Sequence, residues 1–100
     1  MRRLVLSKRA SKKLGKLLEY LELEWSVKVQ QEFINKLDDS LNHIRKYPKS
    51  CIKTDHVKGL HMLVVTKQTS VFYRFNSKAI FVVTIFDNRM NPIKLHREVK

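Results

Sequence analysis

One cysteine, two glycines and two prolines are all that 100 residues contain of the types that cross-link a chain or break its regular structure. With Cys51 alone no internal disulfide can form, and a single thiol among many lysines and arginines suits a reducing compartment. So few Gly and Pro leave no linker and no low-complexity tract, and no internal repeat is visible. A chain that is 43% hydrophobic then has room for one domain, residues 1–100, with one modest core. Long apolar runs are missing too. The longest, Ala79 to Phe86, falls far below the roughly 18 residues of a membrane span. After Arg2 and Arg3 only Leu4, Val5 and Leu6 precede the return of charge, too few for the apolar region of a signal peptide. These absences predict a cytoplasmic protein with no membrane partner.

Acid is the other shortage. Basic residues outnumber acidic ones 21 to 9, a net charge of +12. Arg2, Arg3, Lys8, Arg9, Lys12, Lys13 and Lys16 crowd the first sixteen residues without one acid among them. An excess of this size in a small domain more often marks a polyanionic partner than a merely solvated surface. The partner class is nucleic acid, or an acidic protein that masks the same face.

What is present has a clear order. Arg2 to Leu6 reads as a short opening strand. Ser7 is a good N-cap, and Ala10, Leu14, Leu17, Leu18 and Leu21 recur behind it at helical spacing, predicting an amphipathic helix from about Ser7 to Leu23. Gly15 either weakens that helix or admits another backbone. Ser26 caps a second helix whose stripe is Val29, Phe33, Leu37, Leu41 and Ile44, ending before Pro48. The two form a hairpin, with Trp25 expected as an anchor at the hinge rather than a base-stacking platform. The period then changes. Leu60 to Thr66, Ser70 to Phe75 and Ala79 to Phe86 are rich in Val, Ile, Phe and Tyr and are separated by "KQTS" and "FNSK", which predicts an antiparallel meander. Ala79 to Phe86 is apolar on both faces, as a central strand is.

Most catalytic chemistry lacks its residues here. His43, His56, His61 and His96 show no metal-ligand spacing, so no metal is expected, and no Gly-rich phosphate loop or nucleophile elbow calls for a cofactor. The acids Glu19, Glu22, Glu24, Glu32, Asp38 and Asp39 read as solvated helix surface. The sheet half leaves a sparse polar set: Lys58, His61, Lys67, Tyr73, Arg74, Asp87, Asn88, Arg89, Asn91 and His96. Metal-free RNA cleavage needs a base for the 2′-hydroxyl, an acid for the leaving oxygen and cations for the phosphorane, and Arg, Lys, His and Tyr can supply all three. The competing reading makes Arg74 a structural partner of an acid such as Asp87, and Tyr73 a core residue. Asp87 and Arg89 stand where the central strand leaves the core, which puts Arg89 at a rim, in contact either with Asp87 as a structural pair or with a target, with Asn88 and Asn91 shaping the turn and Pro92 ending it.

The order of elements, with "YLELEWS" (residues 20 to 26), "KGLHMLVV" (58 to 65), "VFYRF" (71 to 75) and "IFDNRMNP" (85 to 92), resembles the RelE/ParE superfamily of type II toxin-antitoxin toxins across nearly the whole chain. The closing motif is similar to that of its plasmid stabilization subgroup. The resemblance implies an α+β, RelE-like fold: an N-terminal strand and an α-helical hairpin packed on a mainly antiparallel sheet of about four strands. It also implies a growth-arresting toxin held inactive by a cognate antitoxin. RelE-like members cut mRNA on the ribosome. For that branch Arg89, Arg74, His61 and His96 are the candidate catalytic residues, although Ser70 stands where the family commonly has an arginine and no Tyr follows Tyr73. ParE-like members instead bind and poison DNA gyrase without a catalytic set. In either branch Lys58, Lys67, Arg89 and Asn88 are candidates for holding the nucleic acid or target. The enzyme and the non-enzymatic inhibitor both remain open on the sequence.

Overall fold

Two serines start the two helices. Ser7 sits in extended backbone and its hydroxyl oxygen accepts from the Ala10 N–H at 2.9 Å, opening α1 (Lys8–Glu24); Ser26 does the same for the Val29 N–H at 3.1 Å, opening α2 (Val27–Lys46). The structure, a computed structural model, describes residues 2–50, 52–53 and 59–88. Ser7 has a second bond. Its hydroxyl donates to the Val83 carbonyl at 2.7 Å, while its N–H donates to the Val82 carbonyl at 3.0 Å. The residue that begins the first helix is therefore fastened to an interior strand of the sheet.

Between the helices the chain turns within two residues. The Trp25 and Ser26 N–H groups both donate to the Leu21 carbonyl, at 3.1 and 3.0 Å. Because backbone bonds and the Ser26 cap make this turn, it needs no side-chain anchor, and Trp25 is left 58% exposed. The expectation of a hinge anchor is corrected on that ground. Gln30 ties the helices together, its Nε2 donating to the Leu18 carbonyl at 3.0 Å. The buried stripes, Ala10, Leu17 and Leu21 on α1 and Phe33, Leu37, Leu41 and Ile44 on α2, follow the helical spacing of the sequence. Each such buried Leu or Ile contributes roughly 1.5–3 kcal/mol relative to exposure.

The stripes cover one face of a mixed sheet built from β1 (Arg3–Leu6), β2 (Ile52–Lys53), β3 (His61–Val64), β4 (Thr69–Phe75) and β5 (Ala79–Asp87), in the order β1-β5-β4-β3-β2. The four-strand body matches the sequence reading, with two-residue β2 added at one edge. β1 pairs parallel to β5 and the other neighbours are antiparallel. The helix side of the sheet supplies Leu63, Val71, Tyr73, Ile80, Val82 and Ile85 to the main core. The far side carries a smaller cluster of Leu60 and Phe72, with Met62, Val83 and Phe86 against it.

β5 contains one irregularity. Phe72 lies opposite Thr84 and Tyr73 opposite Val82, so Val83 is an extra residue in β5. Its carbonyl, released from regular pairing, is the one that the Ser7 hydroxyl reaches. Gly15 has no such purpose: a Cβ placed there meets nothing within 4 Å, so close backbone approach is not its role.

Two stability changes of opposite sign are expected. Ser7→Ala removes a cap and a bond to β5 and should cost roughly 1–3 kcal/mol, more than Ser26→Ala, which removes a cap alone. Gly15→Ala should stabilise by about 0.4–1 kcal/mol, since exposed helix gains from the smaller unfolded-state entropy of Ala. Urea melts of the three variants decide both points; equal losses at the two serines would deny the Ser7–Val83 bond any energetic part.

Candidate functional site

The end of β5 is built around a buried acid. Asp87 is 5% exposed, and its Oδ2 accepts from the Thr69 hydroxyl at 2.6 Å across the last register pair of β4 and β5. Thr69 is itself fully buried and begins β4 out of a tight turn, in which the Gln68 and Thr69 N–H groups both donate to the Thr66 hydroxyl oxygen at 3.1 Å. One step beyond Asp87, the Asn88 N–H donates to the Gln68 carbonyl at 2.9 Å. These bonds hold the start of β4 and the end of β5 as one rigid corner. Lys67 and Asn88, both exposed, stand on it, Lys67 one residue before the Gln68 carbonyl to which Asn88 is bonded. Of the candidate target-binding residues these two are brought together; Lys58 and Arg89 lie outside the described residues, as do Asn91, Pro92 and His96.

Arg74 is elsewhere. It faces Phe81 near the opposite end of β4, five residues from Thr69, the residue opposite Asp87, which at about 3.3 Å per residue is roughly 17 Å away. An Arg74–Asp87 bridge is therefore ruled out by distance, and the buried carboxylate uses Thr69 instead. Tyr73 is core: fully buried, with its hydroxyl donating to the Pro48 carbonyl at 2.7 Å.

His61 shares its environment with Tyr73, not with Arg74. The two rings stack at 5.4 Å and 24°, and the Phe75 ring lies 5.1 Å from the imidazole. Only 7% of His61 is exposed. Because side chains alternate along a strand, pairing with Tyr73 puts His61 on the helix side of the sheet, whereas Arg74 projects to the other side. Ser70, half-buried opposite Phe86, lies on the Arg74 side. Among the described residues no three His, Cys, Asp or Glu side chains come together to hold a metal ion.

The side of the sheet away from the helices combines apolar and cationic surface. Phe81 is 38% and Val64 59% exposed there, Arg3 is exposed at the β1 edge, and the Lys13 ammonium lies 5.6 Å from the centre of the Phe86 ring. The geometry offers surfaces for recognition: a rigid polar corner at Lys67 and Asn88, and an apolar, basic sheet face. A separate cationic groove at the far end of α2, lined by Arg2, Arg45, Lys46 and Tyr47, was not singled out in the sequence. The signal for it was the density of "RKYPK", whose partner Arg2 is 43 positions before Arg45.

Known proteins share this fold. Over residues 4–92 the sequence matches the family described as the ParE toxin of type II toxin-antitoxin system, parDE. No curated protein sequence matches. Among solved structures, the chromosomal ParDE toxin-antitoxin system from P. aeruginosa aligns with a TM-score of 0.72 and 13% identity, over 87% of this chain and 96% of that one. The YoeB/ParE toxin from Agrobacterium tumefaciens aligns at 0.59 and 15%, over 85% and 97%. The E. coli DinJ-YafQ complex aligns at 0.56 and 13%, over 92% and 99%. At these identities the structural likeness establishes the fold.

The corner at Thr69 is testable on its own. Thr69→Val keeps the shape but withdraws the hydroxyl from a buried carboxylate, and should cost about 1.5–3 kcal/mol in denaturant unfolding with the m-value unchanged. A loss below 0.5 kcal/mol, the size of an ordinary surface change, would mean that the bond does not hold the corner.

Proposed function

The chain belongs to the family of ParE toxins of type II toxin-antitoxin systems, and from that premise we propose that it arrests growth by binding and inhibiting a protein target, DNA gyrase, rather than by cutting mRNA. The observation that carries this reading is the separation of His61 from Arg74. An acid-base pair must reach one phosphodiester from one side, within hydrogen-bond range of the reacting atoms. His61, packed between Tyr73 and Phe75 on the helix side, and Arg74, on the far side, do not meet that need. Binding makes no such demand, and it suits an apolar sheet face rimmed by cations.

A toxin of this family is paired with a cognate antitoxin. Charge supplies the attraction here: an acidic antitoxin segment would neutralise part of the +12 and compete for the surface the target needs. Lys67 and Asn88 on their corner, followed directly in sequence by Arg89, then serve as contacts to the target, with Lys58 as a further cation. The protein acts in the cytoplasm in this reading; no helix among the described residues is long and apolar enough to cross a membrane.

The experiment is inducible expression, alone and with the neighbouring open reading frame. Expression alone should stop growth, and co-expression should restore it. In arrested cells plasmid supercoiling should change while mRNA ends stay in place, and the purified protein should inhibit gyrase. Arg89→Ala should relieve the arrest, because a charge-assisted contact to the bound target is worth about 1.5–3 kcal/mol to binding, and a melting temperature kept at the parent's value separates that role from a structural one. Prompt cleavage of ribosome-bound mRNA with unchanged supercoiling would transfer the protein to the nuclease branch.

A further inference from the structure

The groove at the end of α2 has features that the toxin reading does not use. Two adjoining hollows, of about 440 and 460 Å³, share Arg2, Lys46 and Tyr47 as lining; Arg45 and Ser77 complete one, and Lys49 stands in the other. Among the described residues no acidic side chain lines either. Two guanidinium groups in it are held from behind. The Arg45 Nε donates to the Arg2 carbonyl at 2.8 Å, and the Arg2 Nε donates to the Asn76 carbonyl at 2.7 Å. The Arg2 guanidinium also lies 5.7 Å from the centre of the Phe75 ring. Anchoring through Nε fixes the plane of each fork; the Arg45 Nη1 also donates to the Asn42 Oδ1 at 3.4 Å, so the Arg2 terminal nitrogens and the Arg45 Nη2 are positioned in advance for the oxygens of an anion.

The aromatic beside them is placed by the core. Tyr73 draws the Pro48 carbonyl inward, and the short 3-10 turn Pro48–Ser50 is closed by Ser50, whose N–H and hydroxyl both donate to the Tyr47 carbonyl, at 3.0 and 2.7 Å. With Pro48 buried and the Tyr47 backbone held on both sides, the Tyr47 ring stays outside, 60% exposed, at 5.4 Å from the exposed His43 ring. A large exposed ring beside anchored guanidinium groups joins a stacking platform to a phosphate clamp. That pairing distinguishes the occupant. An acidic peptide would use the cations and leave the rings idle, whereas a strand of nucleotides alternates phosphate with a flat base.

We propose that this groove binds single-stranded nucleic acid, with Arg2, Arg45, Lys46 and Lys49 on phosphates and Tyr47 stacked on a base. The helix C-terminus beneath it carries only about half a negative charge, against four formal positive ones, so the field in the groove remains positive. The site lies at the opposite end of the sheet from the corner of Lys67 and Asn88. It is separate from the proposed target contacts and does not depend on what the toxin inhibits.

The test is fluorescence anisotropy of the purified full-length protein with a labelled oligothymidylate and an oligouridylate of twelve nucleotides. Binding is expected with a negative slope of log affinity against log salt. Lys46→Glu should weaken it roughly tenfold or more and make that slope shallower by about 0.7 or more. Tyr47→Ala should weaken it roughly fivefold or more with the slope unchanged, because stacking releases no counterions. Both side chains are exposed, so their melting temperatures should match the parent; Arg45→Ala, which also frees the Arg2 carbonyl, is the supporting variant. Lys28→Glu is the control. It makes the same charge change in the first turn of α2, eighteen residues or roughly 27 Å of helix away from Lys46, and should leave affinity within about twofold. Equal losses at Lys28 and Lys46 would overturn the site in favour of unspecific attraction. An unaffected Tyr47→Ala variant, or equal competition by a glutamate peptide of matched charge, would overturn the nucleic-acid assignment.

Discussion

A single hydroxyl, that of Ser7, joins the helical layer to the sheet. It accepts from the first turn of α1 and donates to the Val83 carbonyl, and the donation is possible because the extra residue in β5 turns that carbonyl out of the ladder. The parallel pairing of β1 with β5 brings the serine there, residue by residue from Arg3 opposite Ala79 to Leu6 opposite Val82. Once α1 starts at that point, Ala10, Leu17 and Leu21 lie over β5, and the tight turn at Trp25 and Ser26 brings α2 back beside them. The end of α2 then meets the start of β1, where the Arg2 N–H donates to the Arg45 carbonyl at 3.3 Å. The hairpin is thus tied at both of its ends.

That closure sorts the charge. α1 carries its cations early and its acids late, whereas α2 begins next to those acids and ends in Arg45 and Lys46. In an antiparallel hairpin the basic first half of α1 lies beside Arg45 and Lys46 at the open end, and Glu19, Glu22, Glu24 and Glu32 come together near the tip, while Asp38 and Asp39 fall in the second half of α2. All four glutamates are exposed, as are Lys8, Arg9, Lys12 and Lys16. A net charge spread evenly would attract any polyanion to any face. A polarised one orients the encounter, steering an acidic partner to the open end before contacts form.

The sheet separates chemistry in the same way. Tyr73 and Arg74 are adjacent in sequence, yet one closes the core and the other projects from the opposite side, and His61 follows Tyr73 because register places it there. A list of polar residues from the sheet half can therefore suggest a catalytic set that alternation along β4 divides. Asp87 illustrates the converse: flanked by residues that read as a binding motif, it is a buried structural acid joined to Thr69, and its burial makes the corner rigid enough to present Lys67 and Asn88.

Local chemistry alone determined a good deal of this protein. The two serine caps, the helical stripes from Ala10 to Leu21 and Val29 to Ile44, the change of period after Pro48 and the centrality of Ala79 to Phe86 follow from propensity and spacing, which act over a few residues. The family resemblance rests on the same short stretches in order. Tertiary structure decided what depends on distant partners. These are the parallel β1, the Ser7–Val83 and Thr69–Asp87 bonds, the exposure of Trp25, the division of His61 from Arg74 and the groove shared by Arg2 and Arg45. Each of these is a matter of register or of chain closure. Register is set by how a whole face buries its apolar side chains, so a one-residue change in pairing would exchange core for surface while leaving every local preference satisfied.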